Sequence, residues 1–540
     1  MKDISSTGSF INFYLNNYIY VDKTQYIRDL IKLERVFISR PRRFGKSLTL
    51  DTIATLFETG VEPYFKGTWI YDKWTEPTYP VFRLSFLNLD NFSIDEFKSE
   101  LNSKITDFAN KISVKGYVEK SEPENSIEGL LERLREEKRQ IVFLIDEYDY
   151  QLTSNINNDD LYKQFQHKIK RFYANIKNKW AIKFLGITGV TRLKDVEIFS
   201  IGSDIRDITN ASAYSQMIGF TRDEIKKYYI DYLTLAASYE NNCSVDKVTD
   251  AQIESMLDMM AQNYDGYCFD EFYKKKVFST WSVNSFFQSI IENKFVYFDE
   301  YWYDNGGLPS ILVNYLKTHE LNIFEYLDKD KFLKVSSDDF KNPTALTTIN
   351  QNVLMCQTGY LTLRSDLNKT STVALGIPNG EIYKALNRLL ANNIFKGNTD
   401  ITDDYGRSLL EVGTVDDIIN LFNSALNSVS YDNYPIVSES SVQNMLKLYL
   451  LGAHQEVLSE VHEAKGRADL VVNTDNKRIV FEFKYAKNET EAKSKLSEAV
   501  EQIKSRDYGN ILPKKNELLR IAAVFNADPK VRAFTEYQEV

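Results

Sequence analysis

Three cysteines in 540 residues, Cys243, Cys268 and Cys356, lie too far apart to suggest a disulfide framework or a CxxC zinc site. The four histidines add no metal chemistry. His454 and His462 read as exposed or core-edge residues, and no histidine stands at ligand spacing from another or from a cysteine. No run approaches the ~20 uninterrupted apolar residues of a membrane span. Met1–Phe10 lacks the basic-then-apolar pattern of a secretory signal, so the cytoplasm is the expected compartment and no membrane partner is expected. Proline and glycine are sparse, at 11 and 22, and no low-complexity linker marks a domain boundary. A net charge of −10 argues against a protein that coats nucleic acid non-specifically. It does not exclude a local site, since basic residues slightly outnumber acidic ones from Val461 onward.

A chain of 540 residues exceeds one compact core and suggests roughly three units. Arg35–Ser39, Val81–Phe86, Ile141–Ile145 and Ile182–Thr188 read as strands. A helix begins at Phe44 and ends near Gly60, and Ile127–Lys138 is an amphipathic helix. Apolar strands alternating with helices predict an α/β fold over 1–230, a parallel sheet with helices on both faces. Residues 231–400 read as a helical, then mixed, connecting region. In 401–540, Val442, Met445, Leu446, Tyr449 and Leu450 form one apolar helix face closed by Gly452. Three strands follow (Gln455–Glu463, Ala468–Val472, Arg478–Tyr485), then a helix (Glu489–Ser505) and a strand (Leu518–Phe525), giving the order α-β-β-β-α-β.

Between a strand and a helix stands Arg40-Pro41-Arg42-Arg43-Phe44-Gly45-Lys46-Ser47. Phosphate binding needs backbone N–H groups at a helix N-terminus, a lysine for the β/γ charge and a hydroxyl for magnesium. Gly45, Lys46 and Ser47 supply the end of GxxxxGK[ST]. The first glycine is replaced by Arg40. Alone, the tripeptide reads equally as a basic loop ahead of a helix. The strand Ile141–Ile145 adds weight because it ends in Asp146-Glu147, where an aspartate holds magnesium and a glutamate polarises the attacking water. Thr188, at the end of the next strand, is placed to sense the γ-phosphate. Arg192 or Arg206 could neutralise transition-state charge, although a surface salt bridge is the commoner use of such residues. The ATP-contacting set is therefore Arg40, Arg43, Phe44, Gly45, Lys46, Ser47, Asp146 and Thr188, with Mg²⁺ on Ser47 and Asp146 and Glu147 catalytic.

The C-terminal third carries a second constellation. Asp469 lies on one strand, and Glu482 and Lys484 lie two apart on the next, so period-2 geometry puts the latter pair on one face. If the strands pair, Asp469 joins them. Two carboxylates provide hard ligands for a divalent cation, and the lysine can orient or deprotonate the nucleophile. The plain alternative is a hairpin with a solvated charged face. Gln502 on the following helix completes the set, and Glu439 and Glu460 are secondary candidates.

Tyr20-Val21-Asp22-Lys23-Thr24, R-P-R-R-F-G-K-S-L and L-I-D-E-Y-D, in that order, resemble the bacterial AAA-ATPase-like proteins that carry a C-terminal PD-(D/E)xK nuclease domain. Tyr264-Asp265-Gly266-Tyr267, Gln357-Thr358-Gly359-Tyr360-Leu361-Thr362 and Leu375-Gly376-Ile377-Pro378-Asn379 extend the likeness over most of the chain. In that family the degenerate first loop position is usual. Phe278-Ser279-Thr280-Trp281-Ser282-Val283 departs from its N-P-x-S-V. Gln502 followed by Tyr508 resembles the helix motif of the nuclease superfamily. The resemblance implies a P-loop AAA-ATPase-like domain, a restriction-endonuclease-like domain, ATP and Mg²⁺ as cofactors, and DNA as the favoured nucleic acid, with self-association open. The reading is an ATP-binding, ATP-hydrolysing protein coupled to a magnesium-dependent nuclease. Its rivals are a nucleotide-switched nucleic-acid-binding protein and a scaffold or signalling ATPase with a non-cleaving nuclease-like domain.

Overall fold

The computed structural model describes residues 1–177, 179–193, 204–302, 310–316, 322–343, 345–395, 405–453, 455–463, 466–510 and 515–540. The chain divides into two compact units, Met1–Leu321 with Asp330–Ile382, and Asn322–Lys329 with Tyr383–Val540. No helix among the described residues is long and apolar enough to cross a membrane.

In the first unit, β1 (Arg35–Ser39), β2 (Val81–Ser85), β3 (Ile141–Asp146), β4 (Ile182–Gly189) and β5 (Arg206–Asp207) form a sheet of order β2-β3-β4-β1-β5. Every neighbouring pair is parallel. All of β1 and residues Ile141–Ile145 of β3 are buried, as sheet faces covered on both sides require. The expected parallel α/β architecture is present. Strand β5, two residues long, is too short to carry a readable hydrophobic period. Strand β4 lies between β1 and β3, so the loop after Ser39, Thr188 and Asp146 emerge at one edge of the sheet, where parallel α/β folds place their ligands.

The helix expected from Phe44 begins at Lys46 and runs to Thr59, with Gly45 as its left-handed N-cap (φ 101°). Helices Ile94–Lys111 and Asp159–Ile176 start where Ser93 and Asn158 side chains accept backbone N–H groups, and both pack with Pro123–Glu136. Helices Ile230–Glu240, Asp250–Tyr264 and Thr280–Asn293 share one core with Ile19 and Val21 from the N-terminal segment. Strands β6 (Leu333–Ser336), β7 (Thr362–Leu363) and β8 (Thr372–Gly376) form a small antiparallel sheet of order β6-β8-β7.

The second unit is built on β9 (Glu456–Glu463), β10 (Gly466–Asn473), β11 (Lys477–Ala486), β12 (Glu517–Asn526) and β13 (Ala533–Glu539), ordered β13-β12-β11-β10-β9. Only β11 and β12 pair in parallel. Their crossover is the helix Glu489–Arg506, the length of connection a parallel pair needs. Ala499 and Ile503 of that helix, with Tyr508, pack on Ala468, Val471, Val480 and Ala522. On the alternate side chains of β11, Phe481 meets Phe422 at 5.2 Å and Phe483 meets Phe534 at 5.6 Å between ring centroids. The α-β-β-β-α-β order is present, with β13 added. That edge strand buries only Phe534, so its hydrophobic alternation is faint.

Candidate functional site

The chain turns sharply after β1, with Arg43 at φ 67° and Gly45 at φ 101°. The helix from Lys46 to Thr59 follows, so the turn delivers the unpaired N–H groups of a helix start. Lys46 is buried, and its Nζ donates to the carbonyls of Arg40 and Pro41, both at 2.9 Å. Burial holds its ammonium below the ordinary value, against the opposing pull of Asp146 and Glu147. Ser47 Oγ donates to Asp146 Oδ2 at 2.5 Å. Thr188 Oγ1 donates to the other carboxylate oxygen. Residues 47, 146 and 188, from three elements, thus meet at one carboxylate. Glu147 has φ 50°, an uncommon conformation for a non-glycine residue. Burial, then Asp146, pushes its carboxyl up.

A cleft of about 490 Å³ opens here, lined by Gly45, Lys46, Ser47 and Glu147 and also by Ile19, Val21 and Met217–Phe220. A lining that combines charged groups with apolar side chains suits a phosphorylated ligand with a flat ring system. The expected loop residues divide. Phe44 is buried edge-on against Tyr267 and Phe269, so only its backbone serves the loop. Arg43 lies 4.0 Å over Trp281. The Arg40 guanidinium turns away from the cleft to the carbonyls of Ser39 (2.8 Å) and Thr209 (2.6 Å). Arg192 is ion-paired with Asp207. Arg206 is exposed on β5. Neither lines the cleft.

The later signatures lie around this loop. Tyr267 supports Phe44. Gly266, at φ 97°, lies where a Cβ would come within 2.2 Å of the Pro378 carbonyl oxygen, and a Cβ on Gly359 would meet Pro41 at 2.8 Å. Trp302 Nε1 donates to the Arg42 carbonyl at 3.2 Å. Its backbone N–H donates to Glu381 Oε1 at 2.7 Å, and Glu381 Oε2 lies 2.7 Å from Ser282 Oγ. Burial pushes the Glu381 carboxyl up to about 8.

In the second unit the β10–β11 ladder stops at the pair Leu470–Phe481. One residue further, Asp469 Oδ2 accepts the Phe483 N–H at 2.8 Å. Glu482 is fully buried. Lys484 Nζ donates to Glu482 Oε1 (2.7 Å), to the Phe483 carbonyl (3.1 Å) and to Glu439 Oε1 (3.4 Å). Burial and the neighbouring Asp469 raise the Glu482 carboxyl to about 7. Burial opposes the Lys484 charge, but Glu482, Glu439 and Asp469 outweigh it and hold the ammonium above its ordinary value. Gln502 Nε2 reaches Tyr508 Oη at 3.4 Å, and Arg506 Nη1 reaches the same oxygen at 2.8 Å. Sequence reasoning missed Arg506, whose charge interacts with Glu482 and Asp469. Its place in a chain of charged helix residues gives no signal. The side chains of His454, Glu460 and His462 lie outside the described residues.

Among the described residues no group of three or more His, Cys, Asp and Glu is arranged to hold a metal. Each candidate set instead mixes donors. Ser47 and Asp146 offer a hydroxyl and a carboxylate in mutual contact. Among the described residues, Glu482 Oε2 is buried with no hydrogen-bond partner, beside Asp469, which suits a hard divalent cation.

Residues 5–199 match the AAA-ATPase-like family, described as a predicted AAA-ATPase. Residues 437–534 match the PD-(D/E)XK nuclease superfamily. An uncharacterized protein in the vnfD 5′ region of Azotobacter chroococcum mcd 1 is 25% identical over 530 residues, covering 95% of this chain and 94% of that protein. Among solved structures, a Walker-type ATPase of Pyrococcus abyssi is similar at 12% identity and TM-score 0.36, over 67% of this chain and 94% of that one. Cdc6p of Pyrobaculum aerophilum is similar at 12% identity and TM-score 0.22, over 68% and 92%. The chain therefore joins an AAA-ATPase-like domain, residues 5–199, to a PD-(D/E)XK nuclease-superfamily domain, residues 437–534.

Proposed function

We propose that the first unit binds and hydrolyses ATP and that the second cleaves phosphodiester bonds of DNA, both with Mg²⁺. In the nucleotide cleft, Lys46 exchanges its two carbonyl partners for the β- and γ-phosphates, and the helix start presents backbone N–H groups to them. Ser47 and Asp146 would hold magnesium, and Thr188 orients the Asp146 carboxylate through its hydroxyl. Glu147, with its carboxyl pushed up by burial, is the base that takes the proton of the attacking water.

In the second unit Asp469 and Glu482 would hold the cation, which supplies charge neutralisation and a more acidic bound water. Lys484 positions the nucleophile or the scissile phosphate through an ammonium already anchored among carboxylates. Gln502, which reaches Tyr508 through its amide, is assigned to the same site. The observation that carries the nuclease reading is the buried Glu482 carboxylate, one oxygen partnerless among the described residues, beside Asp469 and in contact with Lys484. A purely structural hairpin gains nothing from burying that charge.

The test is incubation of the full-length protein with linear duplex, circular duplex and single-stranded DNA, with and without Mg²⁺ and ATP. Cleavage that appears only with Mg²⁺ is expected. DNA retained but uncut would favour a nucleotide-switched binding protein, and neither binding nor cleavage would favour a scaffold ATPase.

A further inference from the structure

The phosphate loop holds arginine at positions 40, 42 and 43, and two of these side chains are already engaged. Arg40 is buried, with its guanidinium on the Ser39 and Thr209 carbonyls and 4.1 Å over the Phe269 ring. Arg43 lies 4.0 Å over Trp281, from a backbone at φ 67°. Arg42 differs. Its carbonyl is fixed by the Trp302 indole N–H at 3.2 Å, so the peptide is held in place. Its guanidinium has no hydrogen bond or ion pair among the described residues, and the residue lines the cleft with Lys46, Ser47 and Glu147. Its positive charge acts on both the Lys46 ammonium and the Glu147 carboxyl. Two cations on one side of a cleft repel each other, and an anion of several charges relieves that repulsion. The arginines considered from sequence, Arg192 and Arg206, do not line this cleft.

We propose that Arg42 is a catalytic residue that grips the terminal phosphate of ATP from within the phosphate loop, the part an arginine finger plays elsewhere. This rests on the ATP-hydrolysing reading of the cleft. In the step, the water oxygen forms a bond to the γ-phosphorus while the bond from that phosphorus to the β–γ bridging oxygen breaks. The electron pair of the broken bond leaves on ADP, and the water proton passes to Glu147. Arg42 keeps its protons throughout and neutralises negative charge on the γ-phosphoryl oxygens as it is redistributed. An arginine here also distinguishes ATP from ADP, because ADP lacks the group it grips.

The test uses full-length wild type, Arg42→Ala and Arg42→Lys. Calorimetry measures ADP and a slowly hydrolysed ATP analogue, and single-turnover assays measure hydrolysis. Arg42→Ala is expected to bind ADP within about twofold of wild type, to lose the analogue by about tenfold or more, and to hydrolyse ATP about 10³-fold more slowly. Arg42→Lys should recover part of the analogue affinity but little of the rate, since a point charge does not reproduce the planar fork. Nucleotide-free melting curves of the two variants should match wild type closely, because the guanidinium makes no hydrogen bond or ion pair among the described residues. An Arg42→Ala protein with unchanged ATP-over-ADP preference and turnover, while Lys46→Ala no longer binds, would overturn the role of Arg42 and leave the nucleotide reading standing. A wild-type protein that binds neither nucleotide would overturn both.

Discussion

At the residue scale, the proposed nucleotide cleft assigns binding and chemistry to different residues. Lys46 is buried against two carbonyls and faces the cleft, so Lys46→Ala removes the ammonium proposed to meet the phosphates. ATP affinity measured by calorimetry should fall by about tenfold or more. Equal binding by wild type and variant would contradict the phosphate-loop assignment. Glu147 lines the cleft in an uncommon backbone conformation and is not among the groups assigned to hold the phosphates. Glu147→Gln is therefore expected to keep ATP binding within a few-fold and to slow turnover by roughly 10²-fold or more. Single-turnover hydrolysis beside a binding isotherm reads the two effects separately. A parallel loss of both would make Glu147 a binding residue. Lys46, Ser47 and Asp146 were legible in sequence, because a loop between strand and helix and an acid at a strand end are patterns of type and spacing. The fates of Arg40, Arg42 and Arg43 were not. Side-chain direction in this loop follows the positive φ of Arg43 and Gly45, and no periodicity encodes it.

At the scale of elements, motifs distant in sequence buttress the phosphate loop. Gly266 is required for two reasons, its φ of 97° and the Pro378 carbonyl oxygen 2.2 Å from where a Cβ would lie. Gly266→Ala should cost about 2–4 kcal/mol, seen as a lowered melting temperature, and an unchanged melt would show that this turn is not under steric control. Glu381 ties helix Thr280–Asn293 to Trp302, and through its indole to the loop. Its folded carboxyl titrates near 8, against 4.5 ordinarily. Raised above the unfolded value, it keeps a proton that the unfolded chain releases. Its contribution is therefore fully present below about 4.5, falls as pH rises, and levels off above about 8. Glu381→Gln mimics the protonated form, donating to Ser282 Oγ and accepting from the Trp302 N–H. Its stability relative to wild type should rise between pH 5 and pH 8.5, by up to about 4 kcal/mol. A difference independent of pH in paired thermal melts would contradict the neutral carboxyl. Strands β1, β3 and β4 were readable as apolar runs, and β11 by its place in the α-β-β-β-α-β order. Strands β5 and β13 were not, because two residues hold no period and an edge strand with one buried side chain barely alternates. The later signatures could be seen as motifs, but their role could not, since their contacts reach across most of the first unit's length of chain.

At the scale of the whole molecule, we assign a separate chemistry to each of two units, and the second is the bolder proposal. The α-β-β-β-α-β order was legible and fixed where Asp469, Glu482 and Lys484 lie. The break in the β10–β11 ladder beyond Leu470–Phe481, which frees Asp469 to accept the Phe483 N–H, was not, because pairing is a property of two strands together. Asp469 and Glu482 are assigned one cation, so loss of either should abolish cleavage and loss of both should add little. Lys484 cannot ligate a cation, so its loss should remove rate while leaving metal affinity largely intact. The most direct measurement is Mg²⁺-dependent DNA cleavage by full-length wild type and by Asp469→Ala, Glu482→Gln and Lys484→Ala, with thermal melts of each as the control for folding. The predicted result is cleavage by wild type alone, from proteins that all melt cooperatively. Full activity in Lys484→Ala and Asp469→Ala would contradict the account and leave the C-terminal domain a surface without catalysis.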